Sequence, residues 1–476
     1  MVLGMVALLG LVGGCTIDLP GEDAPEQALY YPIDLVGSSD GRFLYVLNSN
    51  FDRRYNSGWV SVVDLDVVLA NTGTTAHDGL KTSAEGGMIR VMPLGGALDM
   101  LQLDSGASVA VVSHRGANHR DESILTMVDI SSDGDVISCS GAERSTTGMT
   151  PDEERTDCDE DHLIRIGGDG ADEVTGTADV SRTVLLGELD NPFPVTFFQN
   201  DSGASMAAVG FLDSGWVRFY DVSEVEEATS IRFRSMYEMA ERGMGAFAVH
   251  PAANQSFLTG TSIRGSNSEI YSLDLTRTLS EESVHAWTRD IGALLGGSRL
   301  LHVAYSSDGS RAYVVNEAPD SLVVLNAELV TVSERLSDGS YRTDSVRPSY
   351  DVLSVMPLHG RPTGVAVIER DGADDLIAVS SFEENLLYLF SAAGDSLRLE
   401  HRFELDTGAS EAGGIGTGPF QVHHVRRTAE TFPEYKDLIV VANFSDHSLS
   451  VLDVTPQNPT DFSVIAKVQN AIVLSE

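Results

Sequence analysis

The chain has 476 residues, too many for one ordinary globular domain unless the fold is a large all-β ring or barrel. Hydrophobic residues make up 42% and charged residues 21%, which supports a packed core and excludes wholesale disorder. Asp and Glu number 71 against 31 Lys and Arg, and the resulting formal charge of −40 repels nucleic-acid phosphates and anionic lipid while favouring solubility, cation binding or a saline medium.

In chain order the first feature is the small, apolar run from Met1 to Gly14, ending at Cys15. The stretch "LVGGC" (Leu11 to Cys15) resembles a bacterial lipoprotein signal, where small residues precede a cysteine that is cleaved and acylated. The resemblance implies a signal peptide over 1–15, lipidation of Cys15 and a flexible tether over 16–29. Thr16, standing where an Asp would retain such a protein, implies the outer membrane of a bacterial cell envelope. The plainer reading is a buried apolar N-terminus. No later stretch reaches 18 uncharged apolar residues, so the expected membrane contact is through the lipid anchor only. An exported chain meets an oxidising compartment, and the two remaining cysteines, Cys139 and Cys158, are then expected to form a disulfide. A zinc site of Cys139, Cys158 and His162 is the rival, although its spacing matches no known module.

From about Tyr30 onward one unit recurs seven times. An apolar strand is followed by a tight turn, a second strand ending in a small or amide residue, a variable loop, and a third strand ending in Asp or similar. The clearest copies are "SSDGRFLYVLNSNFDRRYNSGWVSVVDL" (Ser38 to Leu65) and "SSDGSRAYVVNEAPDSLVVLN" (Ser306 to Asn326). Second-strand ends form the column Asn48, Ser113, Gly210, Gly260, Asn316, Ser380 and Asn443. A fourth, weaker strand is read in "GMIRVMPLG", "RTVLLGELD", "YDVLSVMPLHG" and "SVIAKVQ". A single such meander has two apolar faces and cannot bury both; seven set radially bury them against one another. The predicted fold is therefore all-β, a seven-bladed β-propeller of four-stranded antiparallel blades over 30–476. An acidic insertion is expected at 140–182. The pattern resembles YVTN-type propeller repeats, whose relatives include lactonase-like enzymes and haem-binding domains. No Cys-x-x-Cys-His is present, so covalent haem is not expected.

Second-strand ends and inner-strand starts share one mouth of the channel, where a ligand site is most plausible. That places Asp34, Asn48, Asp99, His114, Arg115, His302, Asn316, Glu317, Arg361, Glu383, Gln421 and Asn443 as candidate ligand-binding residues. The competing reading is that the Asn and Ser side chains satisfy turn backbone. In "DCDEDH", Asp157, Asp159 and Asp161 have the alternate spacing of hard oxygen ligands for Ca²⁺, without the Gly and Glu of an EF-hand; a solvated acidic loop is the alternative. His423 and His424 are adjacent in a strand, point to opposite faces and cannot share a metal. No nucleophile elbow, phosphate loop or zinc-protease motif appears. The expected function is a binding or protein-interaction scaffold for a protein, glycan or small molecule at the envelope, with no nucleic-acid partner. The alternative is a lactonase-like or other hydrolase using carboxylates or a divalent cation at the channel mouth.

Overall fold

The computed structural model describes residues 22–470 apart from 74, 77–78, 104, 116–122, 140–157, 159–162, 167–190, 201, 226–227, 241–242, 252–256, 264–268, 279–285, 292–298, 336–340, 371, 394–395 and 406–413. Blade 1 holds β1 (Pro32–Gly37), β2 (Phe43–Asn48), β3 (Gly58–Asp64) and, beyond the short β4 (Thr75–Ala76), β5 (Met88–Val91). Blade 2 holds β6 (Gly95–Gln102), β7 (Ser108–His114) and β8 (Ser123–Ile130), with β9 (Ile137–Cys139) and β10 (Leu163–Ile166) both paired to β8. Blade 3 is β11 (Pro192–Gln199), β12 (Ser205–Phe211), β13 (Trp216–Val225) and β14 (Ala228–Glu238). Blade 4 is β15 (Met244–Val249), β16 (Phe257–Ser262), β17 (Glu269–Asp274) and β18 (Trp287–Asp290). Blade 5 runs through β19 (Leu300–Tyr305), β20 (Arg311–Glu317) and β21 (Asp320–Asn326), makes a separate hairpin of β22 (Leu329–Arg335) and β23 (Tyr341–Pro348), and returns as β24 (Asp351–Pro357). Blade 6 is β25 (Pro362–Ile368), β26 (Leu376–Ser381), β27 (Leu386–Ala393) and β28 (Ser396–Phe403). Blade 7 is β29 (Pro419–Arg426), β30 (Asp437–Asn443), β31 (Ser448–Asp453) and β32 (Ser463–Val468).

The inner strands close a ring: β1 packs on β6, then β11, β15, β19, β25 and β29 follow in turn, and β29 returns to β1. Side-chain alternation explains why. In β2, Leu44 and Val46 enter the apolar core shared with blade 7, while Phe43, Tyr45 and Leu47 enter the core shared with blade 2. The same division recurs at every junction, so the apolar cores lie between blades. This is a seven-bladed β-propeller.

Two details differ from the sequence reading. The strand beside β8 is β10, from inside the expected insertion; the stretch Arg182 to Asp190, read as an outer strand, lies outside the described residues. The alternating "LIRI" of β10 supplies an edge that pairs from Leu163↔Thr126 to Ile166↔Ser123. Of the expected tether, residues 22–29 lie against blade 1, with Ala24, Ala28 and Leu29 buried and Trp59 Nε1 donating to Ala28 O at 3.0 Å. Buried alanine and leucine surface holds this segment down. Cys15 and residues 16–21 lie outside the described residues.

Cys139 and Cys158 are joined in a disulfide, which leaves neither sulfur for a zinc site. Both sit in the core between blades 1 and 2, and Cys158 N donates to Arg90 O of β5 at 3.0 Å. Among the described residues no helix is long and apolar enough to cross a membrane.

Candidate functional site

The channel is built from the starts of the inner strands, and each of the seven breaks register there. The shifts fall between Pro32 and Asp34, Gly95 and Leu98, Pro192 and Val195, Met244 and Ala246, Leu300 and His302, Pro362 and Val365, and Pro419 and Gln421. A bulge turns the following side chain away from the regular alternation of the strand. Asp34, His302 and Gln421 are each the third residue of their inner strand, and they meet. Gln421 Nε2 donates to Asp34 Oδ1 at 3.1 Å and lies 3.2 Å from His302 Nε2. Blades 5 and 7 are not neighbours, so this contact crosses the channel over blade 6. Gly364, the third residue of β25, makes the crossing possible: a Cβ there would meet Gln421 Oε1 at 2.7 Å.

Asp34 accepts from three donors: Leu35 N and Gln421 Nε2 on Oδ1, and Leu98 N on Oδ2. Burial nevertheless pushes its carboxyl up to about 6, against the pull of those donors. Burial drives the His302 imidazole down to about 4, so at neutral pH it is uncharged and its Nε2 accepts from Gln421. Its hydrogen then sits on Nδ1, which is buried and has no hydrogen-bond partner among the described residues. The polar chain Asp34–Gln421–His302 therefore forms a floor across the channel with one uncommitted donor.

Above that floor stands an array of rings. Phe420 precedes Gln421 in β29, and Tyr31 lies three residues before Asp34. Phe444 packs against Phe420 (centroids 5.8 Å), Phe382 (6.1 Å), Phe51 (5.7 Å) and Tyr31 (4.7 Å). These residues come from blades 6, 7 and 1. Phe51 is 53% exposed. The Arg361 guanidinium sits 6.0 Å from the Phe382 ring, and Arg115 sits 5.4 Å from Phe193 on the blade 2–3 side.

The remaining candidates separate into other roles. Asn48 is fully buried: its Oδ1 accepts from Tyr30 N at 2.8 Å and its Nδ2 donates to Ser61 Oγ. Asn316 repeats the device, accepting from Arg299 N and donating to Pro319 O. Asn443 donates to Ser448 and Ser450. These amides tie each second strand to the chain around it. Asp99 accepts from Met100 N and from Phe197 N of blade 3, a staple between inner strands, with its carboxyl raised by burial. His114 is buried against Thr126 Oγ1 and driven down to about 3 by burial. Glu317 is gripped by Arg299 (2.9 Å) and Arg361 (2.8 Å), forming a charged rim. Glu383 is exposed. His423 Nε2 accepts from Gly37 N of blade 1, and His424 meets Asp437 of its own blade at 3.0 Å, so the two rings have separate partners. Asp157, Asp159 and Asp161 lie outside the described residues. Among the described residues no three His, Cys, Asp or Glu side chains converge as a metal set.

The ring array was missed in the sequence although a signal was there. "NSNFD", "SSFEEN" and "ANFSDH" each place a Phe just past a second-strand end in blades 1, 6 and 7. The neighbouring polar column drew the attention instead.

No protein-family model and no curated protein sequence matches the chain. It is similar in fold to hydrazine synthase from Kuenenia stuttgartiensis, at 13% identity over 92% of this chain and 99% of that one, with a TM-score of 0.52. A protein from Lactobacillus plantarum aligns at 13% identity over 94% and 97% of the two chains, TM-score 0.48. A protein provisionally assigned as a 6-phosphogluconolactonase from Bacteroides fragilis aligns at 12% identity over 82% and 86%, TM-score 0.48. At these identities the likeness speaks for the fold alone.

Proposed function

We propose that the chain is a lipid-anchored propeller of the bacterial outer membrane that binds a ligand at its ring-lined mouth and serves as a recognition scaffold. The observation that carries this reading is the array of Tyr31, Phe51, Phe382, Phe420 and Phe444 at the mouth, beside a polar chain whose buried His302 Nδ1 has no partner among the described residues. Apolar walls with a few placed polar groups are the usual make-up of a ligand site. Ring faces of this kind suit a sugar face or an apolar peptide side chain. Catalysis by the floor is disfavoured because both Asp34 oxygens already accept hydrogen bonds.

The reading is tested on glycan and peptide arrays with the purified chain. A Phe51→Ala/Phe444→Ala variant is expected to lose wild-type hits at least ~10-fold, since each truncated ring removes about 1–3 kcal/mol of contact. A Leu399→Ala control on blade 6 should keep them. Hits that survive the double variant would place binding elsewhere. The anchor has its own test: a Cys15→Ser chain should leave the membrane fraction. Calcium at Asp157, Asp159 and Asp161 requires a melting midpoint that falls when chelator is added.

A further inference from the structure

One backbone hydrogen bond recurs in every blade and fixes an equivalent position at the mouth. In each blade the residue at or just past the close of the second strand donates its N–H to the carbonyl of the residue that precedes the inner strand. The pairs are Ser49 to Tyr31, Arg115 to Leu94, Leu212 to Asn191, Ile263 to Gly243, Glu317 to Arg299, Phe382 to Arg361 and Phe444 to Gly418, at 2.8 to 3.2 Å. The mouth positions are thus apolar or aromatic except for a serine and two charges. The Glu317 charge is met by Arg299 and Arg361.

The match between blades 2 and 6 goes further. Ser113 and Ser380 each donate to the carbonyl of a Phe in the next inner strand, Phe193 and Phe420. The Phe382 ring then lies 6.3 Å from the Phe420 ring, and the Arg115 guanidinium 5.4 Å from the Phe193 ring. One local geometry carries an aromatic ring in blade 6 and a guanidinium in blade 2. Arg115 is half-buried, and its Nε is closed off from solvent without an acceptor among the described residues. Burial pushes its pKa down and no neighbouring charge offsets the effect, yet a guanidinium stays protonated at neutral pH. In a chain with 71 Asp and Glu against 31 Lys and Arg, a cation held from water without a carboxylate is a costly arrangement. The face of Phe193 offsets part of that cost.

We propose that Arg115 receives the anionic group of the ligand bound at the mouth, and that this ligand is an acidic glycan whose sugar faces pack on the rings while a carboxylate or sulfate meets the guanidinium. The inference rests on the reading of the ring-lined mouth as a binding site, and adds the charge of what is bound. A guanidinium presents paired N–H donors in the plane where such an oxyanion accepts them. Apolar neighbours strengthen the pair relative to one on open surface. The field of the whole chain repels anions, but those distant charges are screened by salt far more than a contact pair is.

The test has two arms. In the first, melting midpoints of the wild type, Arg115→Met and Arg115→Lys are followed as inorganic phosphate replaces chloride at constant ionic strength. The general salting effect acts on all three, whereas binding at Arg115 adds to the wild type by mass action. The wild-type midpoint should rise most, Arg115→Met least and Arg115→Lys in between; equal rises overturn the anion site. In the second arm, a glycan and peptide array carries uronic-acid and sulfated sugars beside their neutral counterparts. Acidic glycans should bind the wild type at least ~10-fold better than the neutral ones and lose that advantage in Arg115→Met. Neutral glycans bound equally well, hits confined to acidic peptides, or hits unmoved by Arg115→Met overturn the proposal. Hits lost in Phe51→Ala/Phe444→Ala but kept in Arg115→Met leave the ring-lined mouth standing without its anion. A phosphate response that depends on Arg115, with hits that survive the double ring variant, leaves the anion site standing and removes the rings.

Discussion

At Gly364 a missing side chain decides what the channel contains. Gln421 crosses blade 6 to reach His302 only because no Cβ stands in its way. Gly364→Ala should cost about 1–3 kcal/mol by overpacking, read from urea unfolding. Asn48→Ala leaves Tyr30 N without its acceptor and should cost a similar amount, whereas Glu383→Ala at an exposed position should change stability by less than about 0.5 kcal/mol. Asp34 gives the floor a pH signature. Its carboxyl is raised from 3.8 to about 6, so between those values the folded chain binds more protons than the unfolded one. Stability therefore falls as pH rises from about 4 to about 6, by roughly 3 kcal/mol for this group. His302, held down to about 4, acts with the opposite sign: its contribution is lost as pH falls from 6.5 toward 4. Because His302 offsets Asp34 within the wild type, urea unfolding at pH 4.5, 6 and 7.5 should show the Asp34 slope as a wild-type-minus-Asp34→Asn difference that shrinks as pH rises from 4.5 to 6. A wild-type and variant difference that does not change with pH would refute the assignment.

Among the elements, the inner strands show how repeated local geometry produces unlike sites. All seven bulge at their starts, yet only blades 1, 5 and 7 bring a polar residue to the third position of the strand. The serines at second-strand ends do different work: Ser113 accepts from Ala97 N and donates to Phe193 O, and Ser380 does the same with Gly364 N and Phe420 O. Each links its own inner strand to that of the next blade. The disulfide performs a similar task farther out, fastening Cys158 of the insertion beside β5. With a sequence separation of 19 between its cysteines, replacing both by Ala should lower stability by about 3 kcal/mol in the chain-entropy account. The check is urea unfolding of the double variant beside the wild type.

For the whole molecule the weak point is the seam where blade 7 meets blade 1, since every strand of each four-stranded blade comes from its own repeat. Closure comes instead from side contacts. β4 pairs in parallel with β32, Asn470 clasps Leu29 N and O, and the buried Arg427 donates to Gly41 O and Asp66 Oδ1 of blade 1. Arg427→Met leaves Asp66 with Arg42 and Thr431 but strips Gly41 O of its donor, and should cost about 1–3 kcal/mol. Proteolysis should then start at this seam rather than at another junction; uniform cutting would argue against it. The ring itself was legible in the residues, because strand alternation and turn chemistry are local and seven copies reinforce one another. Asp34, His302 and Gln421 could be named as channel residues for the same reason, each standing at an inner-strand start. Their meeting could not be read, since residues 34, 302 and 421 are brought together by bulges and by ring closure. The same holds for the rings of Tyr31, Phe51, Phe382 and Phe444. Period-two patterning assigns a side chain to one face or the other of its own sheet, whereas a channel is defined by the edges of seven sheets at once, and only their packing sets the distances across it.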